Sequence, residues 1–194
     1  MEVFWDGGFA ATSMDDLGEA MGMNRPSIHA AFGDKSELFM KALGRYEEAG
    51  QVALQRALGP ELPLRPSLRN FFSMLLNQYL SGEDSPRGCL LLTIAVAETL
   101  RTPSVRAVVA GAARSLDAAF EARFAIARDK GEIARTANAA DLALLASGLV
   151  HTLSIRARAG DKKSDLERVI DVFLAALCGP ERKTRRPMGG SDPA

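Results

Sequence analysis

The sequence is short of the residues that most enzyme and membrane classes depend on. Among its 194 residues there are two histidines and two cysteines. His29 and His151 stand far apart with no carboxylates clustered around them, so no metal-ligand set is spelled out. Cys89 and Cys178 cannot make a disulfide framework, and a reducing cytoplasm is the expected setting. No Ser-His-Asp, glycine-rich phosphate loop or paired-carboxylate signature occurs, which leaves catalysis without a motif and points to no cofactor. The longest apolar stretch, Cys89 to Ala97, is too short to span a bilayer, and the N-terminus lacks the basic flank of a signal peptide, so no membrane role is expected. An excess of one charge is missing too. Lys plus Arg and Asp plus Glu are both 24, so net charge names no partner, although DNA contact needs only a local group of donors. β-Branched residues never alternate with polar ones over a strand length, so strands have no signal.

What is present is helical periodicity, and the fold class it predicts is all-α. Leu68, Phe71, Phe72, Leu75, Leu76 and Tyr79 recur on one helical face, and Leu166, Val169, Ile170, Phe173, Leu174 and Leu177 repeat the pattern. Between them lie apolar segments over Gly88 to Leu100, Ser104 to Lys130 and Asn138 to Ala159. Breaks fall at Gly59-Pro60 to Pro66, Ser81 to Gly88, Thr102-Pro103 and Lys130-Gly131, with Asn138 and Ser164 as expected N-caps. After Gly179-Pro180 almost nothing is left to bury, so 180–194 reads as a disordered tail in which Arg182 to Arg186 forms a solvated basic cluster. The expected division is a head over 1–45, a helical body over 46–179 and that tail.

The most informative stretch is Phe4 to Leu43. Val3, Phe4 and Trp5 read as the end of a helix stopped by Gly7-Gly8. Ser13 can cap the next, with Asp15 and Asp16 in its first turn and Met14, Leu17, Ala20 and Met21 as its inner stripe. Gly22 ends it, and only Met23 and Asn24 precede a short helix opening with Arg25-Pro26-Ser27. Ile28, Ala31 and Phe32 would face inward, leaving Pro26, His29 and Ala30 outward beside Arg25 and Ser27. Two short helices joined by a tight glycine-bearing turn are helix-turn-helix geometry. Asp34-Lys35-Ser36-Glu37 then opens a third helix, where Lys35 and first-turn amides could jointly hold a phosphate.

These residues resemble the TetR/AcrR family of repressors: Trp5 to Ser13, Asp16-Leu17, Met21 to Ile28 and Ala31 to Phe39 carry the resemblance. It implies an N-terminal three-helix DNA-binding head in front of a C-terminal bundle that senses a small-molecule effector and dimerises. Carried over by position, Thr12 and Ser13 would touch the DNA backbone, and Arg25, Pro26 and Ser27 would enter the major groove. His29 stands where the family usually has a phosphate-contacting tyrosine, keeping a donor but shortening its reach, and Lys35 matches a phosphate-binding lysine. Met1 falls inside the first helix, which is expected to have a longer native start. Within Met1 to Gly44 the cations Arg25, Lys35 and Lys41 face Glu2, Asp6, Asp15, Asp16, Glu19, Asp34 and Glu37, a weak balance for phosphate neutralisation.

In the body, the resemblance implies an effector pocket among the central helices, and Phe71, Met74, Leu75, Cys89, Phe120 and His151 are its candidates. A closed core would use the same apolar residues equally well. Cys89 follows Arg87-Gly88 at an expected helix start, where a thiol can become a redox or electrophile sensor, or simply pack as a small hydrophobe. His151 can line the pocket or sit as an interior histidine. Leu149, Leu153, Ile170, Phe173, Leu174 and Leu177 are the expected dimer interface, because the last two helices are apolar on more than one face and the family pairs through two such helices. The resulting expectation is a homodimeric, ligand-responsive repressor on a palindromic operator. The alternative is a helical small-molecule-binding protein with weak or lost DNA binding.

Overall fold

The computed structural model describes residues 1–82 and 85–179. Among them are nine α-helices and one π-helical turn, with no strand. Three short helices make the head: α1 (Glu2–Gly7), α2 (Met14–Met21) and α3 (Arg25–Phe32). Each boundary has a local cause. Ser13 Oγ accepts the Asp16 amide at 3.1 Å while the Ser13 amide donates to the Asp16 carboxylate at 2.7 Å, a closed capping box at the start of α2. Gly22 ends α2 in the left-handed region at φ 61°, which costs a glycine nothing. Asn24 then caps α3 by accepting the Ser27 amide at 2.9 Å, with Pro26 in the first turn. The Met23 amide donates back to the Gly18 carbonyl at 3.0 Å, closing the end of α2 over that glycine.

The inward stripes are narrower than the periodicity predicts. Leu17, Gly18 and Ile28 are buried, but Ala20, Met21 and Ala31 face solvent. Helices of eight residues have room for little more than one turn of contact, so the expected outer members of each stripe rotate away.

Asp34 and Glu37 form a second reciprocal cap, at 2.8 and 2.9 Å, for α4 (Lys35–Ala57). This helix runs unbroken through position 45, so head and body share one stiff element. The body adds α5 (Leu64–Tyr79), the π turn Leu91–Ala95 leading into α6 (Val96–Glu98), α7 (Pro103–Asp129), α8 (Ala139–Arg158) and α9 (Lys163–Cys178). Asn138 caps α8 as expected, accepting the Ala140 amide at 3.0 Å. Ser164 does not cap α9, which begins one residue earlier, with Lys162 in the cap position. The apolar segment over Gly88 to Leu100, with a helix start expected at Cys89, is not a regular helix throughout. The chain is irregular through Cys89, and Thr93 returns both its amide and its hydroxyl to the Cys89 carbonyl, at 2.8 and 2.7 Å, a back-bonding pattern that bends helices.

The body's core is aromatic. Phe71 and Phe120 meet edge-on at 5.3 Å, Phe120 stacks on Phe124 at 5.9 Å, and Phe173 meets Phe72 at 5.7 Å. Burying each ring contributes on the order of 1.5–3 kcal/mol, and together they tie α5, α7 and α9 into one block. Arg123 is buried beneath it, donating to the Leu62 carbonyl at 2.9 Å and lying 3.7 Å from Glu132, which accepts the Leu64 amide. That network anchors the start of α5. The tail expected over 180–194, with its arginine cluster, lies outside the described residues.

Candidate functional site

The outer edge of α3 presents Arg25, Pro26, Ser27 and His29 to solvent, while Ile28 is fully buried behind them. Arg25 is held in a two-pronged pair by Asp15 of α2. The arginine's hydrogen bonds lower the Asp15 carboxyl below its usual range. Both side chains are well exposed, at 59% and 70%, and water screens such a pair so that it is held only weakly; a phosphate or base edge can take the arginine over. Ser13 is exposed beside them; its hydroxyl oxygen accepts from Asp16, leaving its hydrogen available to donate.

Two residues expected to contact DNA have partners within the head. Thr12 is 4% exposed, and its hydroxyl donates to the Gly8 carbonyl at 2.7 Å, so this side chain is turned inward and pins the end of α1. Lys35 turns its ammonium into the loop between α1 and α2, donating to Phe9 and Thr12 carbonyls at 3.0 and 2.9 Å and lying 4.5 Å from the Phe9 ring. Two of its three N–H donors are thereby used in folding the head.

Behind the head lies a clasp that sequence reasoning missed. Arg87, from the segment preceding the π turn, pairs with Asp6 at 2.6 and 2.9 Å and lies 3.8 Å from Glu2, with its guanidinium 5.8 Å from the Trp5 ring. Arg158 of α8 donates to the Arg87 carbonyl at 3.0 Å. The Arg87 guanidinium thus engages α1, while Cys89 is buried and its sulfur accepts from Tyr46. Nothing in the sequence joins positions 6 and 87, so no local signal could have found this contact.

Between α4, α5, the π turn, α7 and α8 the core leaves a cavity of about 250 Å³. Its walls are apolar, with Phe71, Leu75, Leu92, Leu116 and Val150 among them. Its polar groups are Tyr46, Glu47, Gln51, Gln78, Tyr79, Cys89, Ser115 and His151. Tyr46 donates to Cys89 Sγ at 3.4 Å and accepts from Gln78 Nε2 at 3.4 Å. Burial, reinforced by Cys89, pushes the Tyr46 hydroxyl far above its usual pKa. Burial also lowers His151, opposed in part by Asp117. Of the expected pocket residues, Phe71, Leu75, Cys89 and His151 line this space. Met74 and Phe120 do not: Phe120 is fully buried in the ring cluster, and Met74 is packed against the core outside the lining. Tyr46 was missed, although it continues the stripe Phe39, Leu43 at helical spacing on α4.

The expected dimer surface also changes. Leu149, Leu153, Ile170 and Leu174 are buried within the chain's own core, and Phe173 is half-buried against Phe72; Leu177 is likewise half-buried. The apolar residues left on the outside of α8 and α9 are Leu144, Leu145, Ile155 and Val172, each more than 60% exposed.

A capped helix-turn-helix head, a long connecting helix and a body with an internal cavity define a one-component transcriptional regulator. Residues 1–42 match the family described as "Bacterial regulatory proteins, tetR family", and residues 65–173 match "Tetracyclin repressor-like, C-terminal domain". The chain belongs to the tetR family and is a DNA-binding transcriptional regulator. It is 25% identical over 178 residues to the HTH-type transcriptional repressor ComR of Escherichia coli K12, covering 91% of this chain and 83% of the relative. A cysteine mutant of the TetR family regulator CifR, solved with operator DNA, superposes with a TM-score of 0.79 at 26% identity, over 90% of this chain and 91% of that one. The fold is shared with AibR, solved with isovaleryl coenzyme A and operator DNA, at a TM-score of 0.68 and 17% identity over 93% and 94% of the two chains.

Proposed function

We propose that the chain is a ligand-responsive homodimeric repressor, with 1–45 as the DNA-reading head and 46–179 as the sensing and pairing body. The observation that carries this is the outward edge of α3: Arg25, Pro26, Ser27 and His29 stand on a helix fixed by caps at both ends, behind an exposed, weakly held arginine. Arg25 would leave Asp15 for a base edge in the major groove, with Ser13 and His29 contacting phosphates on either side. Pairing through the outer faces of α8 and α9 would place two heads on a palindromic operator about one helical turn apart. An effector in the cavity would act by preferring one separation of the heads over another. This activity places the protein with DNA in the cytoplasm, as a regulator rather than an enzyme.

Gel shifts on the DNA upstream of its own reading frame test the assignment. Arg25→Ala should weaken specific binding by about 1–3 kcal/mol and leave binding to random DNA nearly unchanged. An equal loss on both would make Arg25 a phosphate contact. The acidic balance of the head favours a second reading, a helical ligand-binding protein with weak DNA affinity; an absence of retarded complexes at low salt, where phosphate contacts are strongest, would select it.

A further inference from the structure

We propose that the cavity takes an uncharged, mostly apolar small molecule bearing one carbonyl or hydroxyl oxygen, and that Tyr46 holds this oxygen. The inference rests on the cavity being the effector site, and three features set the ligand class. The volume, about 250 Å³, falls just under the range of roughly 300–1,000 Å³ that holds drug-sized ligands, so the occupant is compact. The walls offer leucine, valine and phenylalanine, and no Lys or Arg stands among the described lining residues. A carboxylate or phosphate would find no permanent cation, only His151, whose charged form burial disfavours, and would meet Glu47, an arrangement that disfavours a buried anion.

The third feature is the anchor. Tyr46 is half-buried at the cavity wall, and its hydroxyl hydrogen goes to the Cys89 sulfur at 3.4 Å, a weak acceptor. A ligand carbonyl or hydroxyl oxygen is a better one, so Tyr46 gains by turning to it. Gln78 positions the phenol by donating to its oxygen at 3.4 Å. Burial keeps that phenol protonated, and therefore a donor, throughout the physiological range. On its other side the Tyr46 ring meets Trp5 edge-on at 5.0 Å. Trp5 is the chain's only tryptophan, so its fluorescence reports what Tyr46 does.

Matched probes on two carbon frames, cyclohexyl and linear hexyl, test this with the full chain in the absence of DNA. Each frame is presented as methyl ketone, hydrocarbon, carboxylate and primary amine, and binding is followed by Trp5 fluorescence and calorimetry. Such ketones do not alkylate thiols, so capture by Cys89 does not enter. On at least one frame the ketone should bind at least about tenfold more tightly than the carboxylate and the amine. Tyr46→Phe should reduce ketone affinity by about threefold to tenfold and leave the hydrocarbon unchanged. Gln78→Met should cause a smaller loss of the same kind. The proposal is overturned if a carboxylate or amine matches its ketone, if ketone affinity ignores Tyr46→Phe, or if no probe binds. Isovaleryl coenzyme A serves as the large anionic counter-probe, and tighter binding of it than of the ketones would also overturn the proposal. Because these titrations contain no DNA, they stand apart from the repressor reading. Ketones that bind without releasing operator DNA would keep the ligand class and remove the effector role.

Discussion

A β-carbon at position 18 would stand 2.8 Å from the Met23 carbonyl oxygen, with the tip of Ile28 at 3.8 Å. The obstacle is backbone, so α2 or the turn would have to move. Forcing an extra carbon into a tight contact costs about 1–3 kcal/mol, against about 1 kcal/mol gained because alanine favours helix over glycine. Gly18→Ala should therefore lower stability by a net ~1 kcal/mol in urea denaturation and weaken operator binding by tilting α3; an unchanged midpoint would show that the turn yields freely. At His151, burial lowers the pKa below the ordinary 6.5. The unfolded chain then binds more protons than the folded one near that pH, so the neutral ring's contribution is present above 6.5 and is lost as pH falls through it. His151→Asn should flatten the decline of Tm with acidification just below pH 6.5; an identical decline in both proteins would assign it to other groups.

The helix-turn-helix could be read from sequence because its determinants are local. Ser13 with Asp16, Asn24 with the Ser27 amide, and Asp34 with Glu37 are contacts three residues apart, visible as residue types at fixed offsets. The roles of Thr12 and Lys35 were not legible, because each depends on where a loop between two helices folds back. On α8 the failure has another cause. Leu144, Leu145, Leu149 and Leu153 are the same residue type, and only the helix's rotation against α5 and α7 decides which pair is covered. Apolar character on several faces announced that some leucines of α8 would be left uncovered, but it could not say which. The outer residues carry a sharper prediction. Leu144→Glu with Val172→Glu should yield a folded monomer by sedimentation and circular dichroism, whereas Leu174→Glu should unfold the body, since Leu174 is fully buried and a charge there has no partner. A double variant that remains dimeric would place the interface elsewhere.

At the scale of the whole molecule, two joins between head and body stand out among the described residues. One join is α4, which runs without a break from Lys35, beside the head, into the cavity wall at Tyr46 and Leu54. The other is noncovalent: Arg87 on Asp6 and Glu2, Arg158 on the Arg87 carbonyl, and Trp5 against Tyr46. Arg87 stands two residues before Cys89 and four before Leu91, both of which line the cavity. A ligand that displaces this segment relative to α4 therefore moves one join against the other and turns α1. In the Arg87–Asp6 pair Asp6 is 51% exposed and Arg87 only 15%, so the pair is partly screened and Asp6→Asn, which keeps a hydrogen-bonding side chain there, should cost on the order of 1 kcal/mol of global stability. Its effect belongs to coupling, which in such systems amounts to about 1–3 kcal/mol between sites. Asp6→Asn should leave Tm and probe affinity close to wild type, yet reduce severalfold the ratio of operator affinities without and with ligand. Removing a negative charge from the head also strengthens DNA binding in general, and Glu19→Gln, on exposed α2 surface away from the clasp, controls for that. If Asp6→Asn and Glu19→Gln shift DNA affinity alike and leave the ratio intact, α4 alone carries the signal.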